Sequence, residues 1–152
     1  MKTLFLFLAV ALTAGSAAAS PTASDEAMIV TPYQSAKFVP SNPAAPNGTQ
    51  VAVLRGDPAT GPSTMLMKMK FNQGLNVMHV HSSDYQLVVV SGKMKHWSKA
   101  QSEDKAEIMG PGGYWFQPGG RAHTDVCLSE ECLMYIVWTG KRDGWVAKDG
   151  DI

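Results

Sequence analysis

The chain has 152 residues, with thirteen basic and thirteen acidic side chains and a formal net charge of zero. That length suits one domain, and the even charge lacks the basic footprint that nucleic-acid binding requires. No polyanionic partner is expected.

Met1-Lys2, the apolar stretch Leu4 to Leu12 and the small residues Ala17 to Ala19 predict a signal peptide over residues 1–19, removed on export. The competing reading is a membrane anchor, but the apolar run is short for a bilayer. No second run of membrane length follows, so the mature chain is expected to be secreted or periplasmic, with no membrane partner. Residues 20–48 include Pro32, Pro40, Pro43 and Pro46. They predict an extended segment packing on a barrel formed by residues 49–152.

The predicted strands are short and closely spaced. Ala27 to Val30 is a weak candidate, and Gln50 to Arg55 ends at Gly56-Asp57-Pro58. Ser63 to Phe71 alternates, with Met65, Met67 and Met69 on one face. That stripe reads as flexible filler inside a barrel, or as a copper-carrying surface on an exported protein. The strand bearing His79 and His81 follows, then Tyr85 to Val90, a turn at Ser91-Gly92 and Lys93 to Trp97. Ser98 to Lys105 reads as a polar loop or one helical turn. Further strands are expected at Ala106–Met109, Tyr114–Gln117, Ala122–Leu128, Leu133–Thr139 and Gly144–Ala147. Many short strands with frequent turns and little helical periodicity predict an all-β sandwich or barrel. Cys127 and Cys132 read as a disulfide across a hairpin in an oxidising compartment, or as reduced thiols. No other cysteine completes a thiolate metal site.

His79 and His81 carry the chemistry. At i and i+2 on a strand they share a face about 7 Å apart, close enough to converge on one ion. Gln86 follows with an amide oxygen, and His123 stands in a second glycine-rich stretch. The two stretches, G-L-N-V-M-H-V-H-S-S-D-Y-Q-L-V-V-V-S-G from Gly74 and G-G-Y-W-F-Q-P-G-G-R-A-H-T-D-V-C from Gly112, resemble the paired motifs of the cupin superfamily. In the first motif, G-x5-H-x-H-x3–4-E-x6-G, Gly74, His79, His81, Gln86 and Gly92 stand in order, one residue short at each end. In the second, G-x5-P-x-G-x2-H-x3-N, Gly112, Pro118, Gly120 and His123 match at full spacing, with Cys127 at the Asn position.

The resemblance implies a double-stranded β-helix, or jelly-roll barrel. It also implies one divalent transition metal per chain, held by His79, His81, Gln86 and His123. Gln86 in place of Glu removes a negative charge, leaving either a weak neutral donor or a hydrogen bond to bound water. Imidazole ligands favour copper or iron in an exported setting, with zinc, nickel or manganese as alternatives. A cupin barrel without metal would leave three histidines unpaired at some cost.

Gln86, Asp125 and Tyr85 are the candidate catalytic residues. Asp125 shares a face with His123 at i+2, and Tyr85 or Asp84 is placed to orient an imidazole, although Asp84 suits a plain turn equally. His96 reads as a rim or surface residue before a further ligand. Arg121 reads as a carboxylate binder or a solvated side chain. Tyr114, Trp115, Phe116, Tyr135 and Trp138 are assigned mainly to the core. Trp97 and Trp145 are read as an aromatic patch for sugars or a dimer contact.

The leading functional expectation is a secreted metal oxidoreductase, using oxygen or peroxide on a small phenol, a diketone or a polysaccharide. A zinc or nickel lyase or isomerase for a sugar acid is the alternative, followed by a metal-containing binding module. A homodimer fits any of these.

Overall fold

The computed structural model describes residues 26–73 and 77–152. The expected leader over residues 1–19 and Gly74, the first glycine of the first motif, lie outside the described residues. Contacts divide the chain after Val30. Residues 26–30 carry no strand, so the expected element at Ala27 to Val30 does not form. No helix among the described residues is long and apolar enough to cross a membrane.

From Thr31 onward the described residues form ten strands and two single 3-10 turns. The strands are β1 (Val39–Pro40), β2 (Gln50–Gly56), β3 (Ser63–Lys70), β4 (His79–Val80), β5 (Tyr85–Ser91), β6 (Met94–Ser98), β7 (Tyr114–Gln117), β8 (His123–Cys127), β9 (Glu131–Trp138) and β10 (Trp145–Val146). They form a jelly-roll of two antiparallel sheets. One has six strands in the order β1-β2-β3-β9-β5-β7, the other four in the order β10-β4-β8-β6. The polar stretch before Ala106 makes one 3-10 turn at Glu103–Lys105. The strand expected over Ala106–Met109 reduces to a single bridge between Met94 and Met109.

Period-two alternation fixes which side chains face inward. On the six-stranded sheet the inner row includes Met65 and Met69 of β3, Met134, Ile136 and Trp138 of β9, and Tyr85, Leu87 and Val89 of β5, all at most 3% exposed. The methionine stripe therefore faces the interior, where unbranched side chains fill an irregular space. Tyr114, Phe116 and Tyr135 alternate outward at 54%, 53% and 40% exposure, against their assignment to the core. Trp115 and Trp138 are buried, and so is Trp97, which therefore forms no surface patch.

Cys127 and Cys132 form a disulfide, and both are fully buried. They do not lie across a hairpin: Cys127 ends β8 in one sheet and Cys132 opens β9 in the other. The bond thus joins the two sheets at their closed corner. Gly92 packs against this corner with φ +85°, and a Cβ there would lie 2.7 Å from the Glu131 carbonyl oxygen and 2.8 Å from the Cys132 sulfur. Gly92→Ala is expected to lower stability by about 1–3 kcal/mol through strain and overpacking. Denaturant unfolding under oxidising conditions measures this, and an unchanged midpoint would contradict the packing described.

Candidate metal centre

β4 is two residues long, yet its register carries the site, because His79 lies directly opposite His123 of β8. Opposed residues in an antiparallel pair hold their side chains close. The two imidazole centroids are 4.3 Å apart, and His81 sits 4.9 Å from His79 and 5.2 Å from His123. One ligand atom from each of the three rings lies within 4.8 Å of the others.

Backbone carbonyls set the orientation of each ring. His79 Nδ1 is 3.1 Å from the Val77 carbonyl and His123 Nδ1 is 2.9 Å from that of Arg121, while His81 Nδ1 is bonded to the carbonyl of Asp143. A carbonyl only accepts, so in each neutral ring Nδ1 carries the proton and Nε2 keeps its lone pair. This is the arrangement that metal-binding histidines require of their outer partners. Burial pulls the pKa of His81 down to about 4 and that of His123 to about 3, which keeps both neutral at physiological pH. Three converging imidazoles fit a divalent transition ion.

The loops that present these residues are fastened to each other. Gly120 N–H donates to the His81 carbonyl at 2.8 Å, and Gly119 N–H donates to Asp84 Oδ1 at 2.7 Å. A Cβ on Gly119 would stand 2.5 Å from the Ser82 carbonyl oxygen, so only glycine allows this approach. Asp84 thus pins the two motifs together rather than orienting an imidazole.

Gln86 is not a ligand. It lies one residue after Tyr85 on β5, so the pleat turns it to the outer face, where it is exposed and accepts a hydrogen bond from the Tyr114 hydroxyl at 3.3 Å. Neither a metal-ligating nor a catalytic role at this centre is open to it. Tyr85 takes the inward place. Its hydroxyl is 3.2 Å from His123 Nε2 and receives the Trp115 indole N–H at 3.3 Å. Burial, with Asp125 adding to it, pushes the phenol pKa above its ordinary value. The spacing E-x6-G, counted back from Gly92, lands on Tyr85 and was the sequence signal for this position.

Asp125 is 8% exposed and shares a cavity of about 430 Å3 with His79, His81 and Tyr85. Burial raises its pKa, with His79 acting in the opposite sense. Met67, Met69, Ile136 and Trp138 give the cavity an apolar wall. Arg121 lines a different cavity of about 740 Å3, with His96 and Phe116, so it does not meet the three imidazoles' cavity.

His96 is half-buried and lines the second cavity, as a rim residue would. It stacks on Trp115 with centroids 4.6 Å apart and lies 5.2 Å from His123. Gln117 spends its amide N–H groups on the Pro118 and Arg121 carbonyls, so its Oε1 accepts from His96 Nε2 at 3.1 Å. The Nδ1 of His96 is then a buried lone pair with no partner among the described residues. All four histidines of the chain therefore gather in one region.

A family model described as the ChrR cupin-like domain matches residues 26–142. The chain belongs to the ChrR cupin-like family. Solved structures with the same fold include KdgF from Halomonas sp., at 17% identity and TM-score 0.60 over 78% of this chain and 96% of that one. An acetylacetone dioxygenase from Acinetobacter johnsonii aligns at 16% identity and TM-score 0.61, over 88% and 86% of the two chains. The polyketide cyclase RemF from Streptomyces resistomycificus aligns at 20% identity and TM-score 0.63, over 82% and 89%. Among curated proteins, none matches the sequence. This cupin, then, shares a barrel with proteins of diverse chemistry, and its own activity must be argued from its site.

Burial of neutral histidines has a consequence for acid stability. His81, His96 and His123 titrate at about 4, 4 and 3, below the ordinary value of 6.5, so the unfolded chain binds more protons than the native one across that interval. Stability therefore falls as pH drops from about 6.5 toward 4, while the raised pKa of Asp125 partly offsets this. Metal-stripped protein is expected to lose on the order of a few kcal/mol over that range. Thermal melts at stepped pH test this; a flat profile would contradict the burial of these rings.

Proposed function

We propose that this cupin is an exported mononuclear metalloenzyme that acts with oxygen or peroxide on a small organic substrate. One observation carries the reading: three imidazoles, each anchored through Nδ1 to a backbone carbonyl, bring one ligand atom apiece within 4.8 Å of one another beside a buried tyrosine. His79, His81 and His123 would hold the ion. Copper or iron bound there would supply redox chemistry and a place for oxygen, and an all-imidazole set suits either. Export is supported by the leader pattern in residues 1–19 and by the Cys127–Cys132 disulfide.

The protein's own groups supply binding and proton movement. The apolar wall of Met67, Met69, Ile136 and Trp138 excludes water and favours an organic body over a hydrated one. The Tyr85 hydroxyl donates to the lone pair of His123 Nε2. Were that lone pair committed to an ion, the same O–H would be free to donate to a substrate oxygen. Asp125 lines the cavity close enough for His79 to influence its pKa, and its burial favours the protonated acid, so it can give or recover a proton there. These two proton carriers also favour a second reading, a non-redox lyase or isomerase with zinc or nickel as Lewis acid.

Replacing His79, His81 or His123 by Ala is expected to abolish stoichiometric metal binding, read by elemental analysis of protein from its native compartment. Tyr85→Phe is expected to retain the metal and lose about 10²–10⁴-fold in turnover. Oxygen uptake with acetylacetone and catechol as probes separates the two readings. Protein that holds only zinc and turns over without oxygen sinks the redox one.

A further inference from the structure

Arg142 stands out among the residues that line the three-histidine cavity, because it is a part-buried cation without an acid. Its backbone N–H donates to the Pro58 carbonyl at 2.8 Å, and its Nη2 donates to Ser41 Oγ. Among the described residues no carboxylate pairs with the guanidinium, and its other N–H groups have no acceptor. The nearest acid in sequence, Asp143, is already committed: Oδ1 accepts the Ser82 N–H at 2.9 Å, and Oδ2 accepts the Ser82 hydroxyl at 2.8 Å and Lys141 Nζ at 3.2 Å.

A guanidinium keeps its charge, and where it is part-buried, as here, an opposite charge brought into the cavity offsets its partial desolvation. Its free fork matches a carboxylate in two parallel hydrogen bonds. The Ser41 hydroxyl, reaching in from the proline-rich segment, fixes one nitrogen and so aims the rest of the fork. Arg142 is also near enough for its charge to act on His81.

We propose that the cavity takes a small carboxylate with an apolar body, its charged group held by Arg142 and its body against the methionine and Trp138 wall. This deepens the reading above and rests on it only in placing substrate in this cavity. The polysaccharide option is thereby disfavoured relative to a small acid.

Benzoate and its neutral isostere benzamide are the probes, measured by calorimetry on the full chain after chelator treatment and again after metal reloading. Chelated wild-type protein is expected to bind benzoate about tenfold or more tightly than benzamide. Arg142→Gln should erase that preference, Arg142→Lys should keep part of it, and Ser41→Ala should weaken benzoate by a smaller factor while leaving benzamide unchanged. Benzoate binding that is unmoved by Arg142→Gln and Ser41→Ala, or absent from wild type in both forms, overturns the proposal. Protein that takes up no metal yet discriminates benzoate through Arg142 would end the metalloenzyme reading and leave this one standing.

Discussion

Everything at the centre depends on three hydrogen bonds from imidazole Nδ1 to backbone carbonyls at Val77, Asp143 and Arg121. Each fixes a tautomer and a ring plane, and the three rings bring one ligand atom apiece within 4.8 Å of one another. The acceptors come from three separate loops, so the site is a product of chain topology rather than of one motif. Cross-strand pairing of His79 with His123 supplies the remaining constraint. Were any carbonyl displaced, that ring could turn its protonated nitrogen inward and cease to be a ligand.

Outside this centre the interior is packed by methionines, aliphatics and aromatics, with one disulfide tying the sheets together. The polar groups admitted to the interior are few and mostly satisfied. Trp138 Nε1, Ser63 Oγ and His96 Nδ1 are exceptions among the described residues. Unpaired buried polar atoms are costly and so concentrate where a protein has a use for them. His96 Nδ1, beside His123, fits that pattern, and nothing on the strand bearing it advertised the fact.

Most of the fold was legible in the sequence because strand alternation and turn chemistry are local signals. The strands β2, β3, β5, β6, β7, β8 and β9 fall within a residue or two of expectation. The disulfide was legible as a bond but not as a link between sheets, since C-L-S-E-E-C looks the same whether its strands pair or diverge. His79, His81 and His123 were readable from motif spacing. Gln86 fits the H-x3–4-E spacing after His81 as well as Tyr85 does, yet one residue on a strand reverses its face, and the spacing alone does not fix which of the two points inward. Arg142 and Asp143 were invisible for a different reason: they lie some sixty positions from His81 and reach it only through tertiary folding.

The brevity of β4 has a further meaning. Two residues pair with β8 on one side through the His79–His123 register and with the two residues of β10 on the other. Short edge pairings of this kind open at lower free energy than the long ladders of the opposite sheet. An ion bound by residues from both β4 and β8 would act as a cross-link over that weak edge. Amide exchange in β4 and β10 would then report occupancy locally, while the β3–β9 ladder, eight pairs long, would scarcely register it.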